Sequence, residues 1–184
     1  MNKQRWQLWA VAAAFFGPFL IAVWLYFSGQ SVQLGANHGF LLEPIINLKD
    51  EAAESPLHEA NPEQWLFVYA NIGDCDDGCR TALYKARQSR TMLGREMDRV
   101  TRVFLHGESL PDTLWLAEEH AELVLVPDVE LGQLLITKKP EAVPAGGFFL
   151  IDPLGNLVLY FPPGIEPRDM VGDIKRLLKL SQIG

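Results

Sequence analysis

The chain has 184 residues, 48% of them hydrophobic and 21% charged, with a net charge of −7. That length holds one ordinary domain with additions rather than two full domains, and that composition excludes a disordered chain. Lys3 and Arg5 are the only charged residues before Ser28, so the remainder of the chain carries −9. An acidic domain lacks the cations that displace counterions from phosphates, and nucleic-acid binding is set aside.

Residues 6–27 contain no charge, and only Gln7 among them is strongly polar. An apolar run of about 22 residues spans roughly 33 Å as a helix, enough for a bilayer core. Trp6, Trp9, Trp24 and Tyr26 sit toward its ends, where amphipathic rings favour the membrane interface. Gly17-Pro18 is a kink that membrane helices tolerate. The run exceeds a typical signal-peptide core and no small-residue cleavage pattern follows it, so the sequence predicts a retained single-span anchor. Lys3 and Arg5 precede the span, and no Lys or Arg follows until Lys49. The positive-inside rule then puts the N-terminus in the cytoplasm and the rest beyond the membrane. In a bacterium that side is the oxidising periplasm, where two cysteines can hold a disulfide.

The expected organisation is a cytoplasmic tip and anchor over 1–27, a tether and lead-in segment over 28–60, and a globular domain over 61–184. The lead-in is too rich in Gly and Pro for a long helix. Residues 65–70, Trp-Leu-Phe-Val-Tyr-Ala, read as a buried strand. A polar loop follows, and 79–98 show helical spacing, with Cys79, Leu83, Ala86, Leu93 and Met97 on one stripe. Next come a strand over 100–105, a helix over 110–120 with Pro111 in its first turn, and a short strand over 123–126. A short helix over 129–136 follows, then a hairpin of 147–152 with 157–161. Pro167 opens a final amphipathic helix with Met170, Val171, Ile174, Leu177 and Leu178 on its apolar face. Alternating strands and helices predict an α/β fold whose sheet has helices on both faces.

The chemistry-bearing motif is Cys75-Asp76-Asp77-Gly78-Cys79. Cα atoms four apart on a helix lie about 6 Å from one another, within disulfide range. A helix opening behind the pair suggests a thioredoxin-like arrangement, and its N-terminus favours thiolate. The spacing permits reversible disulfide chemistry, soft-metal binding, or a static staple. Asp74, Asp76 and Asp77 surround Cys75, and their charge opposes thiolate formation. A strongly oxidising, low-pKa cysteine is therefore not expected. Hard-cation binding by these acids lacks the further oxygen ligands that calcium sites use.

The chain resembles the Sco/SenC group of membrane-tethered, thioredoxin-like proteins, in a small divergent branch met among cytochrome c oxidase assembly proteins. The resemblance rests on the anchor, on Asn37-His38-Gly39-Phe40-Leu41-Leu42-Glu43-Pro44, on the CxxxC at 75–79, and on Phe149-Leu150-Ile151-Asp152-Pro153-Leu154-Gly155-Asn156. It implies copper delivery to the oxidase's binuclear copper site, or reduction of that site's cysteines. Its partners would be an oxidase subunit or another assembly factor. It also implies copper ligation by both cysteines and one histidine placed shortly before the strand at 148–152. This chain has Val143-Pro144-Ala145-Gly146-Gly147 there, with no side-chain donor. Pro144 matches instead the cis-proline that faces the cysteine pair in thioredoxins.

The expected site is thus Cys75, Cys79 and Pro144 for exchange, with Cys75, Cys79 and His106 as the copper set if copper binds. His38, His58 and His120 read as surface or capping residues. Arg80, Lys85, Arg87, Arg90, Arg95, Arg99 and Arg102 form a basic stretch opposed only by Glu96 and Asp98, either a solvated face or a dock for an acidic partner or lipid headgroups. The leading expectation is a thiol–disulfide oxidoreductase serving oxidase assembly, with Cys75 attacking and Cys79 resolving. The alternatives are a copper metallochaperone and a binding module with a structural disulfide.

Overall fold

The structure, a computed structural model, describes residues 14–20, 23–24, 37–60, 63–109 and 112–181. The chain divides into two compact units, Met1–Ala36 and Asn37–Gly184. In the first unit, residues 14–20 and 23–24 are helical, and Phe15, Phe16, Phe19, Leu20 and Trp24 are exposed. The rest of the expected span, with Lys3 and Arg5, lies outside the described residues. Among the described residues no helix is long and apolar enough to cross a membrane.

The second unit is a six-stranded mixed sheet of order β1-β6-β5-β2-β3-β4. Its elements, in chain order, are β1 (Phe40–Asn47), α1 (Leu48–Glu51), a 3-10 turn (Pro56–Glu59), β2 (Trp65–Asn71), α2 (Asp77–Leu93), a 3-10 segment (Gly94–Arg99) and β3 (Val100–His106). Then follow α3 (Thr113–Glu119), β4 (Leu123–Pro127), α4 (Val129–Lys138), β5 (Phe148–Ile151), β6 (Asn156–Phe161) and α5 (Pro167–Leu180). β2, β3 and β4 run parallel, β5 pairs antiparallel with β2, and β6 pairs antiparallel with β5 on its far side.

β2 is the central strand, and Trp65 through Ala70 are all buried. This is why its sequence is a continuous apolar run rather than an alternation. Phe67, Tyr69, Phe104 and Phe148 face α2 and α5 on one side, with Phe67 and Phe148 stacked at 5.1 Å. Leu66, Val68, Leu105 and Phe149 face the other side, against Leu131 and Leu135 of α4 and Leu48 and Leu57 of the lead-in. Burying one such side chain contributes on the order of 2 kcal/mol, so this two-sided core dominates the stability.

Three boundaries differ from those read in the sequence. Residues 37–60 fold with the second unit, because β1 pairs antiparallel with β6. They are pinned to α5 by Asp173, whose buried carboxylate accepts from the backbone N–H groups of His38 (2.7 Å) and Gly39 (2.9 Å). Helix α2 stops at Leu93 because Gly94 takes a positive φ of 64°, so Met97 lies beyond it in the 3-10 segment. α3 starts at Thr113 behind the N-cap Asp112, and Leu110 and Pro111 lie outside the described residues.

Candidate functional site

β2 ends at Asn71, and the loop 72–76 turns the chain into α2. The loop is fixed from several sides. Gly73 donates its N–H to the Asn71 side chain (3.1 Å), Asn71 donates to the Asp74 carbonyl (3.2 Å), and Ser109 donates its hydroxyl to the Asp74 carboxylate (2.8 Å). It also lies against Gly107, where a Cβ would fall 2.1 Å from the Ile72 carbonyl oxygen, so only glycine admits the loop there. Asp76 caps α2, its carboxylate accepting the Cys79 N–H at 2.9 Å.

Cys75 and Cys79 form a disulfide with their Cα atoms 5.0 Å apart. The two sulfurs differ in access. Cys79, in the first turn of α2, is buried at 1% exposure and belongs to the core, whereas Cys75, in the loop, is half-buried. A groove of about 400 Å³ runs beside Cys79 and the cysteine loop. One wall is Tyr69, Ile72, Asp74, Asp76 and Cys79; the other is Ile136, Ala145, Gly146 and Pro163.

Pro144 sits in that second wall's loop, but not as the sequence predicts. The cis peptide bond among the described residues is Glu43–Pro44, so Val143–Pro144 is not cis. The Pro144 ring is exposed, and its neighbours Ala145 and Gly146 line the groove. The loop is held from beneath by Tyr160, whose hydroxyl donates to the Pro144 carbonyl (2.5 Å) and accepts from the Gly147 N–H (3.1 Å). Burial raises the Tyr160 pKa, which keeps that hydroxyl a donor.

His106 ends β3 and is buried. Its Nδ1 lies 2.7 Å from the Gly107 carbonyl oxygen, an acceptor, so Nδ1 donates that bond. His106 packs against Phe104 at 5.6 Å, on the sheet face that also buries Cys79. Yet among the described residues no three His, Cys, Asp or Glu side chains converge as a metal site. The expected set of Cys75, Cys79 and His106 does not form such a group among the described residues, and Nδ1 of the histidine is held on its neighbour's backbone. Two thiols without a third donor do not fit the three-ligand copper site that the resemblance to Sco/SenC proteins implies.

Sequence reasoning missed Tyr69, the last aromatic of the strand that delivers the cysteines. Its pKa is pushed up to about 12, by burial first and then by the Asp76 charge. It lines the groove beside Cys79 with its hydroxyl protonated. Its position in an apolar run made it read as core, although its distance from the cysteine loop was a legible signal.

The basic stretch is largely committed inside the domain. Arg80 lies over the Trp115 ring at 4.5 Å, Arg87 pairs with Glu119 at 2.7 Å, Arg90 pairs with Glu122, and Lys85 donates to the Ile165 carbonyl at 3.1 Å. Beneath these, Arg102 is buried with Nε and Nη1 unpartnered, and burial lowers its pKa to about 10. His120 is buried beside it, its pKa lowered to about 4 by burial and then by Arg102 and Arg87.

A half-buried cystine at a helix N-terminus, on a mixed sheet with helices on both faces, defines a thioredoxin-like protein. Residues 65–181 match the family described as transmembrane-like, thioredoxin-like, C-terminal domain, and the chain belongs to it. No curated protein matches the chain in sequence. Its structural neighbours include Sco/SenC proteins. Arabidopsis thaliana ScoI with copper bound is 16% identical, covers 65% of this chain and 86% of its own, and has a TM-score of 0.50. Yeast Sco1 with copper bound is 18% identical, covers 64% and 77%, and has a TM-score of 0.50. At these identities the likeness establishes the fold.

Proposed function

We propose that this chain is a membrane-anchored, thioredoxin-like accessory factor that exchanges disulfides at Cys75 and Cys79 during assembly of a copper site, that of a respiratory oxidase. The observation that carries the reading is the unequal access of the two sulfurs beside an open groove. Exchange needs one sulfur that a partner reaches and one that only its neighbour reaches. In the reduced chain the Cys75 thiolate attacks a partner disulfide, forming a Cys75–partner disulfide and releasing a partner thiolate that takes up a proton. Cys79 then loses its proton and attacks the Cys75 sulfur, which forms the Cys75–Cys79 bond and frees the second partner thiol. Two electrons pass to the partner, and the sequence reverses when the partner is the stronger reductant. The Pro144–Gly146 loop opposite the pair would hold the partner chain.

The anchor and its periplasmic side are supported by the apolar run at 6–27 behind Lys3 and Arg5, and by the family's description as transmembrane-like. The copper and oxidase setting is supported by the Sco resemblance, and two Sco neighbours are copper-bound. That likeness favours a second reading, in which the reduced thiols carry copper as cargo. The missing third donor weighs against it. The test is trapping: in the full chain, Cys79→Ser should accumulate a mixed disulfide through Cys75, and Cys75→Ser should not. Absence of any mixed disulfide from Cys79→Ser would end the exchange reading.

A further inference from the structure

We infer that the corner of the domain formed by the C-terminal ends of α2 and α5 seats on an anionic lipid surface, that of the membrane in which the chain is anchored. The inference rests on the anchor in the proposed function and not on disulfide exchange.

The chain enters the domain against α5. The Arg176 guanidinium donates to the Asn37 side chain at 2.8 Å, and the Asp173 carboxylate holds the N–H groups of His38 and Gly39. The C-terminal half of α5 therefore lies beside that entry point, and it exposes Lys175, Arg176, Lys179 and Leu180. The end of α2 joins the same corner. Lys175 donates to the Met92 carbonyl (3.0 Å), and Arg99 donates to the Leu178 carbonyl (3.0 Å). Arg95, also exposed, lies in sequence between those two contacts. The acids of this segment face other cations, Glu96 on Arg99 at 3.0 Å and Asp98 on Arg90 at 3.9 Å. Among the described residues, Arg95, Lys175, Arg176 and Lys179 have no carboxylate within ion-pair distance.

These cations stand in a chain whose charge after residue 27 is −9. An anionic surface attracts the corner, by about 1 kcal/mol per Lys or Arg near it, and repels the acidic remainder, so the field both binds and orients the domain. That field falls off within a Debye length, about 8 Å at physiological salt, so proximity decides whether it acts. Residues 28–36 alone separate the end of the apolar run from Asn37. Fully extended, that tether reaches about 35 Å, so an anchored chain keeps this corner in constant reach of the headgroups. Met92 (42% exposed) and Leu180 (76% exposed) flank the cations and supply apolar area for the headgroup–acyl boundary.

The experiment places the full chain in nanodiscs of phosphatidylcholine, alone or mixed with phosphatidylglycerol, and follows amine labelling by mass spectrometry. Lys179 should react several-fold more slowly in the anionic discs. Lys138, on α4 across the sheet, should react alike in both. The Lys179 difference should vanish at about 1 M salt, where the screening length is about 3 Å. It should vanish also in the Arg95→Gln, Lys175→Gln, Arg176→Gln variant, with an unchanged Lys138 rate reporting an intact fold. Equal labelling of Lys179 in the two discs, or slowing that survives in the variant, overturns the inference and points the corner at an acidic protein instead. A chain that fails to co-purify with phosphatidylcholine discs would defeat the anchor, and this inference with it.

Discussion

The Tyr160 hydroxyl donates to the Pro144 carbonyl oxygen at 2.5 Å, so a tyrosine of β6 holds the loop that faces the cystine across the groove. The Tyr160 hydroxyl oxygen in turn accepts the Gly147 N–H. A Cβ at Gly147 would fall 1.9 Å from the Phe161 carbonyl oxygen, so the loop closes onto the hairpin with no room for another residue type. Tyr160→Phe removes both bonds and leaves the Pro144 carbonyl and the buried Gly147 N–H without this partner. We predict a loss of about 1–3 kcal/mol in denaturant unfolding. Disulfide exchange should slow several-fold with the thiol pKa unchanged, which separates loop positioning from thiol chemistry.

Asp76 has two separable roles, helix cap and local charge. Asp76→Ala should cost about 1 kcal/mol of stability through loss of the bond to the Cys79 N–H. Asp76→Asn keeps an equally good cap and should leave stability within about 0.5 kcal/mol. Both variants remove one negative charge beside the reduced thiols, so both should lower the apparent thiol pKa, read by ultraviolet thiolate absorbance against pH. A pKa that moves in Asp76→Ala alone would assign the effect to helix fraying rather than charge.

His120 makes the domain acid-sensitive. Its pKa falls from 6.5 to about 4 on folding, because burial and the neighbouring arginines disfavour the imidazolium. Between those values the unfolded chain binds a proton that the folded chain does not, so stability rises with pH across the window and is lost as pH falls from 6.5 toward 4. The loss should amount to on the order of 2 kcal/mol. Unfolding midpoints at pH 7 and pH 5 should differ accordingly, and His120→Gln should flatten the difference. A wild-type midpoint unchanged over that range would contradict the burial argument.

How much was legible follows from where each signal arises. β2, β3, the hairpin and α5 carry their own periodicity, and the sequence reading placed them within a residue or two. The CxxxC could be placed at a helix start because the apolar run at 65–70 ends just before it and the helical stripe begins at Cys79. β1 was not legible: Leu42 is its only buried residue, Leu41 and Ile45 point outward, and Pro44 interrupts it. It is a strand because β6 offers an edge, which is a tertiary fact. The partners of His106 and Tyr160 depend likewise on contacts between distant segments. No local pattern announces which proline is cis, and the bond lies at Pro44 rather than Pro144.

Copper affinity follows from the donor count. Two thiolates supply most of the binding energy for Cu(I), and the family's third position offers only Val143, Pro144 and Ala145 here. Both thiols must lose protons beside three aspartates, which weakens binding near neutral pH. Competition titration of the reduced full chain should give weaker Cu(I) binding than a protein with two cysteines and one histidine, and His106→Ala should not change it. Tight binding that is lost in His106→Ala would mean that the histidine leaves the Gly107 carbonyl to complete a metal site.

The central claim is that the Cys75–Cys79 bond exchanges rather than staples. Equilibrating the full chain with glutathione buffers of defined ratio and counting free thiols tests it most directly. Carboxylates beside Cys75 do not stabilise the reduced form as thiolate, so the couple should be less oxidising than low-pKa pairs yet within reach of glutathione, between about −200 and −300 mV. Full resistance to reduction, with a potential well below about −300 mV and no mixed disulfide at Cys75, would identify a structural staple and contradict the account.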